Sequence, residues 1–424
     1  MAKVRRARHP SLVQGAFDLR IKVGNYPHIC AAYGQPVADR LMGELVGRFL
    51  GAFGTDSTRA WGTARRQDEN VIVASAWDER LVRPDEGMLS PQRLAHAVIA
   101  GMIAEPVEIG EHRIVPSIAA ALLPSRRPEE AIEFTGSGFH LPPPGGMDWV
   151  RAFRADMEVA VEVLDALREG RLRLATQPVR DFYPDGQALY CECLLRGVAP
   201  DGTAYSGGRL IPALERVGIV RLVDQRVVDM VLDQLERFPG AHLGVNISCQ
   251  SAVVDAWWWD AFERIAQKPD LGSRLVVEVR RGTSDPSAQL GAFARRIAMV
   301  GVRLAFDGFG VEDAAIGIHA PVRPDFIKLA PQLMADAERS KKGAATFQRI
   351  VDAAQELAPS VIAAGVETAD QSRIAFESGV QWQQGYFVEG PSTVRAPAPC
   401  TDHRRSEPDV AVRRLRLVSG MEDA

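Results

Sequence analysis

The sequence predicts an α/β protein in two parts, a smaller N-terminal α/β segment followed by a (β/α)-barrel. Three observations carry this reading. The chain has 424 residues, and at roughly 150 residues per domain that length suggests two or three domains, or one small domain plus one barrel. Over the last 250 or so residues, short β-rich runs alternate with helix-like stretches, a rhythm that suits a barrel better than an open sheet. Between the two parts lies Thr135-Gly-Ser-Gly-Phe-His-Leu-Pro-Pro-Pro-Gly-Gly146, dense enough in Gly and Pro to break any regular structure.

In chain order, residues 1–15 form a basic arm, 16–134 the first domain, 135–149 the linker, 150–395 the barrel and 396–424 a polar, Pro-rich tail. Within that tail, Val410–Val418 reads either as flexible chain or as a short docking strand. The β-rich runs of the barrel are Ala188–Leu195, His242–Ser248, Arg274–Val279, Val302–Asp307, Asp325–Leu329 and Ser360–Ala364. Helices are expected at Arg221–Arg237, Asp285–Met299, Ala344–Leu357 and Ala369–Ser378.

Composition excludes several classes. Hydrophobic residues at 46% and charged residues at 25% are the balance of an ordinary globular protein. Lys+Arg 50 against Asp+Glu 54 leaves a net charge of −4, so no global basic charge attracts nucleic acid. No apolar run approaches the roughly 18 residues that span a bilayer, and no apolar signal core follows the basic N-terminus. A cytoplasmic protein is expected. The five cysteines form no CxxC pair; Cys191 and Cys193 alternate on one strand face and are expected to pack in the core of a reduced protein.

Polar residues recur in or at the ends of the barrel strands: Glu192, Asn246, Glu278, Asp307 and Lys328. The C-terminal strand ends carry the chemistry of such barrels. Glu, Asn, Glu and Asp are hard oxygen donors suited to Mg²⁺ or Mn²⁺. Any one of them could be a strand-end cap; four in one rhythm are harder to explain that way.

At this point the residues carry a resemblance. Thr176-Gln-Pro-Val179, Glu192-Cys-Leu-Leu-Arg196, Leu210-Ile-Pro-Ala-Leu-Glu215, Val245-Asn-Ile-Ser248 and Val277-Glu-Val279 occur in one order. They are followed by Gly301-Val-Arg-Leu-Ala-Phe-Asp-Gly-Phe-Gly310, Phe326-Ile-Lys328, Ala363-Ala-Gly-Val-Glu-Thr368 and Gln384-Gly-Tyr386. Together they resemble an EAL domain, the cyclic di-GMP phosphodiesterase module, over about residues 150–392. The resemblance implies a TIM-like (β/α)8 barrel, with Glu192, Asn246, Glu278 and Asp307 at the positions that hold the first metal ion. It places Gln177, Leu195, Arg196, Glu367 and Gln384 at ligand-contacting positions. Arg196 shares a strand face with Glu192 at period two and is expected to be a principal ligand anchor.

Departures from the family pattern are concentrated at the chemistry. Gly308 stands where the family has a second Asp, Arg281 where it has a further Glu, Ala330 for an Asp and Ala364 for a Glu, while Lys328 and Glu367 are retained. The loop after the Asp pair reads Gly310-Val-Glu-Asp-Ala-Ala315. Two-metal phosphodiester hydrolysis clamps the attacking and the leaving oxygen between ions about 4 Å apart. A lost carboxylate and an added positive charge both weaken such a site. The barrel is therefore expected to be catalytically inactive, with at most one Mg²⁺ or Mn²⁺ ion.

The first domain more distantly resembles a GGDEF domain, the diguanylate cyclase module, with an α/β sandwich implied; an unrelated α/β domain is the alternative. The anchors are Tyr33-Gly34, Ala38–Met42, Ala64-Arg65 and Val71–Val73. The signature hairpin then reads Arg66-Gln-Asp-Glu-Asn70 without its glycines. Lys22 falls at a metal-binding Asp, Cys30 at a guanine-contacting Asn, and no inhibitory RxxD occurs near Ser57–Ala60. Cyclase activity is not expected. Three functions then compete: a cyclic di-GMP receptor or regulatory adaptor with a protein partner, a nucleotide-independent scaffold, and residual phosphodiesterase activity. The scaffold draws on Trp257-Trp-Trp259, because three consecutive helical positions expose at least one ring. A helix start with two rings packed inward is the alternative there. A homodimer is compatible with all three.

Overall fold

The computed structural model describes residues 17–53, 61–76, 91–124, 141–183, 186–280, 287–311 and 323–393. The basic arm, Ser57–Ala60, Arg281, most of the Val311–Ala315 loop and the C-terminal tail with its Val410–Val418 stretch lie outside the described residues. The chain forms two compact units. One comprises residues up to Leu172 with Gly197–Val223 and Asp255–Asp260; the other comprises Arg173–Arg196, Asp224–Val254 and the chain from Ala261 on.

The first unit is built on a four-stranded antiparallel sheet of β1 (Phe17–Val23), β2 (Trp61–Asp68), β3 (Val71–Ala76) and β6 (Ile118–Pro124) in the order β2-β3-β1-β6. Strand β1 alternates: Leu19, Ile21 and Val23 are fully buried while Lys22 faces solvent, the period-two pattern of a sheet with one covered face. Helices α1 (Tyr26–Tyr33), α2 (Gln35–Phe53) and α3 (Pro91–Met102) belong to the same unit, with a small hairpin of β4 (Val107–Ile109) and β5 (His112–Ile114). Leu41, Met42, Leu45 and Phe49 form the buried face of α2, at helical spacing. Helix α4 (Met147–Arg168) follows the Gly/Pro-rich stretch and buries Phe153, Met157, Ala160 and Leu164 along one stripe. Later come β9 (Ala204–Ser206) and α5 (Gly207–Val217). Asn25 ties α5 to this unit. It is fully buried, its amide donates to the carbonyls of Val115 and Val217, both at 3.1 Å, and its oxygen accepts from the Ser117 amide at 2.9 Å. The Arg216 guanidinium adds a fork onto both oxygens of Asp156, at 2.7 Å each.

The second unit contains a closed barrel. Its strands are β7 (Leu172–Asp181), β8 (Ala188–Val198), β10 (Leu243–Ser248), β11 (Leu275–Arg280), β12 (Arg303–Phe309), β13 (Phe326–Leu329), β14 (Ser360–Ala364) and β15 (Trp382–Gln384). They run in the order β10-β11-β12-β13-β14-β15-β7-β8, and β8 pairs with β10 to close the ring. All neighbours from β8 through β10 to β15 are parallel, but β7 runs antiparallel to β15. This departs from a regular (β/α)8 barrel for a simple reason. A parallel pair needs a crossover of a dozen or more residues, and only residues 182–187 join β7 to β8. The helices between the strands are α6 (Val220–Arg237), α7 (Ala256–Gln267), α8 (Pro269–Arg274), α9 (Ser287–Met299), α10 (Gln332–Arg339), α11 (Lys341–Leu357) and α12 (Ala369–Glu377). Ser340 and Thr368 cap α11 and α12 by accepting from the Gly343 and Gln371 amides, the standard device for orphan helix donors. At the start of α7, Trp257 and Trp258 are buried and Trp259 is 42% exposed. The helix thus fulfils both expectations, packing two rings and exposing one.

One buried cluster gathers Val179, Tyr190, Val276, Ala305, Phe326, Ile362 and Trp382 from the barrel strands. Tyr190 has its place because position 244 is glycine: a Cβ there would lie 2.6 Å from the Tyr190 ring and 2.5 Å from Glu278 Oε1. Cys191 and Cys193 alternate with Tyr190 and Glu192 and are buried.

Candidate functional site

The parallel register brings the polar strand residues together. Asn246 stands beside Glu278, Arg280 beside Asp307, and Ala364 beside Gln384. At the centre is Lys328 of β13, 2% exposed. Its ammonium donates to Glu192 Oε2 at 2.7 Å and to Glu278 Oε2 at 2.5 Å. Glu192 also accepts from Gln384 Nε2 at 2.7 Å on the same oxygen, and from Asn246 Nδ2 on the other. Gln177 lies next to this group: its backbone carbonyl is 3.5 Å from Gln384 Nε2, and its side chain donates to the Glu389 carbonyl at 3.0 Å. Arg180 in turn pairs with the Glu389 carboxylate at 2.8 Å.

The two glutamates are electrostatically unlike. Burial opposes the charge on Glu192, but the Lys328 ammonium and the three hydrogen bonds it accepts lower its pKa below the ordinary value. Glu278 is fully buried, and that burial, reinforced by the negative charge of Glu192, pushes it up to about 8. Its second oxygen, Oε1, is turned to the barrel wall at Gly244 and Tyr190; neither it nor the Tyr190 hydroxyl has a hydrogen bond of acceptable geometry. Burial works against the charge of Lys328, yet Glu192 and Glu278 together raise it well above its ordinary value. At neutral pH the cluster is therefore a Glu192–Lys328 ion pair with a largely protonated Glu278.

Asp307 is held separately. Arg280 donates to its Oδ2 from Nη2 at 2.9 Å and from Nε at 3.2 Å. The next residue, Gly308, has φ +79°, at an irregularity in the β12–β13 register between Phe306 and Phe309. L side chains rarely adopt this conformation. A Cβ at Gly308 would have Arg280 Nε as its nearest neighbour, at 3.8 Å.

The remaining sequence-named residues fall outside this cluster. Glu367 is exposed, and its backbone amide donates to Gln371 Oε1. Arg196 is half-buried and donates to the carbonyl of Leu195; Leu195 itself is buried one step out of phase with Glu192. Ala330 packs against the apolar cluster of Leu329, Leu333 and Val366, and Ala364 is buried. Arg281 lies outside the described residues. Sequence reasoning missed Arg280. The signal was available, since period two from Glu278 leads to position 280.

Among the described residues, no group of three or more His, Cys, Asp or Glu side chains is arranged to hold a metal ion. The oxygens of Glu192, Asn246, Glu278 and Asp307 are of the right chemical kind for Mg²⁺ or Mn²⁺. Yet both glutamates are bonded to Lys328, and Asp307 is bonded to Arg280. As arranged, these residues do not fit a bound divalent ion.

The family model for the EAL domain matches residues 160–391. The chain belongs to the EAL domain family. This EAL protein is 24% identical over 381 residues to the bifunctional diguanylate cyclase/cyclic di-GMP phosphodiesterase MucR of Pseudomonas aeruginosa, covering 85% of this chain and 53% of the relative. It is 25% identical over 351 residues to the cyclic di-GMP phosphodiesterase NbdA of the same organism, covering 78% of this chain and 44% of the relative. The chain thus spans about half the length of these relatives. Among solved structures it is similar to the FimX EAL domain of Xanthomonas citri in complex with c-diGMP, at 21% identity and TM-score 0.49 over 57% of this chain and 95% of that one. It is also similar to the S helix-GGDEF-EAL portion of Vibrio cholerae LapD, at 16% identity and TM-score 0.49 over 89% of each chain. No helix among the described residues of this EAL protein is long and apolar enough to cross a membrane.

Proposed function

We propose that this chain is a catalytically inactive GGDEF–EAL protein that acts in cyclic di-GMP signalling as a nucleotide receptor or regulatory adaptor. The observation that carries the proposal is Asp307, the acid kept from the family's pair, which is bonded to Arg280 at 2.9 Å and has glycine beside it at 308. Gly308, Ala330 and Ala364 remove further acidic groups on which metal-assisted hydrolysis would draw. The relatives' names supply the ligand, and Gln177, Arg196 and Gln384 are its proposed contacts. In the GGDEF-like domain, Arg66 supports the absence of cyclase activity. It stands where a glycine is expected and reaches across to Asp39 at 2.7 Å and the Tyr26 hydroxyl at 2.8 Å, so side chains fill the space near the hairpin.

A second reading, a nucleotide-independent scaffold, is favoured by the exposed ring of Trp259. One experiment separates the readings: labelled cyclic di-GMP is titrated against the full chain, and product is followed with Mg²⁺ or Mn²⁺ present. The receptor predicts saturable binding at micromolar concentration or tighter and no linear dinucleotide. Absence of binding at high concentration selects the scaffold. Turnover that vanishes in Glu192→Ala would establish a phosphodiesterase and overturn the proposal.

A further inference from the structure

Resting on the receptor reading, in which the resemblance puts Glu367 among the ligand contacts, we propose that Gln371 and Glu338 are positioning residues for guanine: they hold the turn of Glu367 so that its carboxylate reads the guanine edge. Glu367 lies in the turn that follows β14, beside the end of β15. The backbone of that turn is fixed on both sides. The Val366 amide donates to the Gln384 carbonyl at 3.0 Å, and the Val366 carbonyl accepts from the Phe387 amide at 3.0 Å. A Cβ at Gly365 would lie 2.5 Å from the Pro331 side chain, and one at Gly385 would lie 2.0 Å from the Val366 carbonyl oxygen. Glycine at both positions permits this close approach. The Gln384 side chain donates to Glu192, so Glu367 stands at the C-terminal strand ends, where such barrels carry their sites.

A closed ring of hydrogen bonds then fixes Glu367 itself. Its backbone amide donates to Gln371 Oε1 at 2.7 Å. Gln371 Nε2 donates to Glu338 Oε2 of α10 at 2.8 Å, and Glu338 Oε1 accepts from Thr368 Oγ1 at 2.7 Å. Thr368 Oγ1 in turn accepts from the Gln371 amide at 3.1 Å. Capping α12 needs only the last of these bonds. Gln371, buried in the packed barrel, commits both ends of its side-chain amide to the turn and to α10. The Glu367 side chain is exposed, and among the described residues no hydrogen bond or ion pair engages its carboxylate. A fixed backbone that carries an uncommitted carboxylate is an acceptor prepared for two parallel donors. Guanine presents such a pair, its N1–H and its exocyclic 2-amino group. Hypoxanthine keeps the first and lacks the second.

The test is equilibrium binding of cyclic di-GMP and of its di-inosine analogue, which lacks the 2-amino groups, to the full chain and to Glu367→Ala, Gln371→Ala, Glu338→Ala and Glu338→Gln. Wild type is expected to prefer cyclic di-GMP by about 10- to 100-fold, the weight of one charge-assisted hydrogen bond, and Glu367→Ala to lose that preference. Gln371→Ala and Glu338→Ala should lose most of it, because the carboxylate is no longer held in place. Glu338→Gln should retain it: its amide oxygen can accept from Gln371 Nε2 while its nitrogen donates to Thr368 Oγ1. Glu338 lies on the surface, so its two variants keep the test decisive if Gln371→Ala does not fold. A preference unchanged in Gln371→Ala or Glu338→Ala, or an equal loss of affinity for both dinucleotides, leaves the ring a role in helix stability alone; it overturns the inference while the receptor reading stands. Wild type binding both dinucleotides equally, or a preference that survives Glu367→Ala, does the same. No wild-type binding of either dinucleotide overturns the receptor reading and the inference with it.

Discussion

Lys328→Met is the sharpest perturbation of the barrel. The side chains are similar in length, so the substitution removes the ammonium and little volume. Glu192, 8% exposed, then keeps only the amides of Asn246 and Gln384, and Glu278 loses its one hydrogen bond. Breaking a buried pair by deleting one partner costs about 3–5 kcal/mol, because the other charge is left without compensation. Glu278 already holds its proton at neutral pH, so most of that loss traces to Glu192. The variant Lys328→Met/Glu192→Gln should therefore recover at least half of it. Urea unfolding at pH 7 measures the effect, fitted with separate transitions because the chain forms two units. Four proteins (wild type, both single variants and the double) close a cycle whose coupling energy should exceed about 2 kcal/mol. A loss below about 1 kcal/mol in Lys328→Met, or a double variant less stable than Lys328→Met, would refute the internal ion pair.

Two further outcomes follow from the same cluster. Gly308→Asp places a side chain at φ +79°, which costs roughly 1–2 kcal/mol, and it should not confer hydrolysis of cyclic di-GMP with Mg²⁺ or Mn²⁺; product formation by this single variant would contradict that. Glu278, raised to about 8 from 4.5, keeps its proton in the folded barrel across a range where the unfolded chain releases it. Its contribution to stability is complete below about pH 4.5 and is lost as the pH rises through 8. Glu278→Gln cannot titrate, so its melting temperature should fall less steeply than wild type between pH 5 and 8.5, and equal slopes would refute the assignment.

The barrel was legible where a strand carried its own signal. The runs at Ala188–Leu195, His242–Ser248 and Val302–Asp307 are rich in apolar residues and carry Glu192, Asn246 and Asp307 respectively, and each became a barrel strand. Strand β7 gave a weaker signal, because Pro178 interrupts a pattern that otherwise reads as extended. Strand β15 spans three residues and offers no period to detect. Assignment of Gly197–Val223 to the first unit had no local signature at all. It rests in part on Asn25, whose amide reaches the Val217 carbonyl across 192 residues of sequence. The site was half legible for a similar reason. Family spacing located Glu192, Asn246, Glu278 and Asp307, but what each carboxylate bonds to is a long-range fact: Lys328 meets Glu192 across 136 positions. Arg281 drew attention by alignment, whereas strand alternation selects Arg280.

The substitutions at this site support one another physically, which bears on whether any one of them could be reversed alone. A barrel mouth with four or more carboxylates is unstable without divalent cations, since each buried anion must find a partner or a proton. With Gly at 308 and Ala at 330 and 364, the acids left in the layer can be balanced by Lys328 and Arg280, with Glu278 protonated. Restoring Asp at 308 would put a fourth acid beside the three that Lys328 and Arg280 already bond among the described residues, on backbone suited to glycine. The nearest positive group, Arg280, is already committed to Asp307. A new Asp would compete for that guanidinium rather than recruit a metal ion. On this reasoning, an ion site here requires at least the Arg280 and Gly308 changes together.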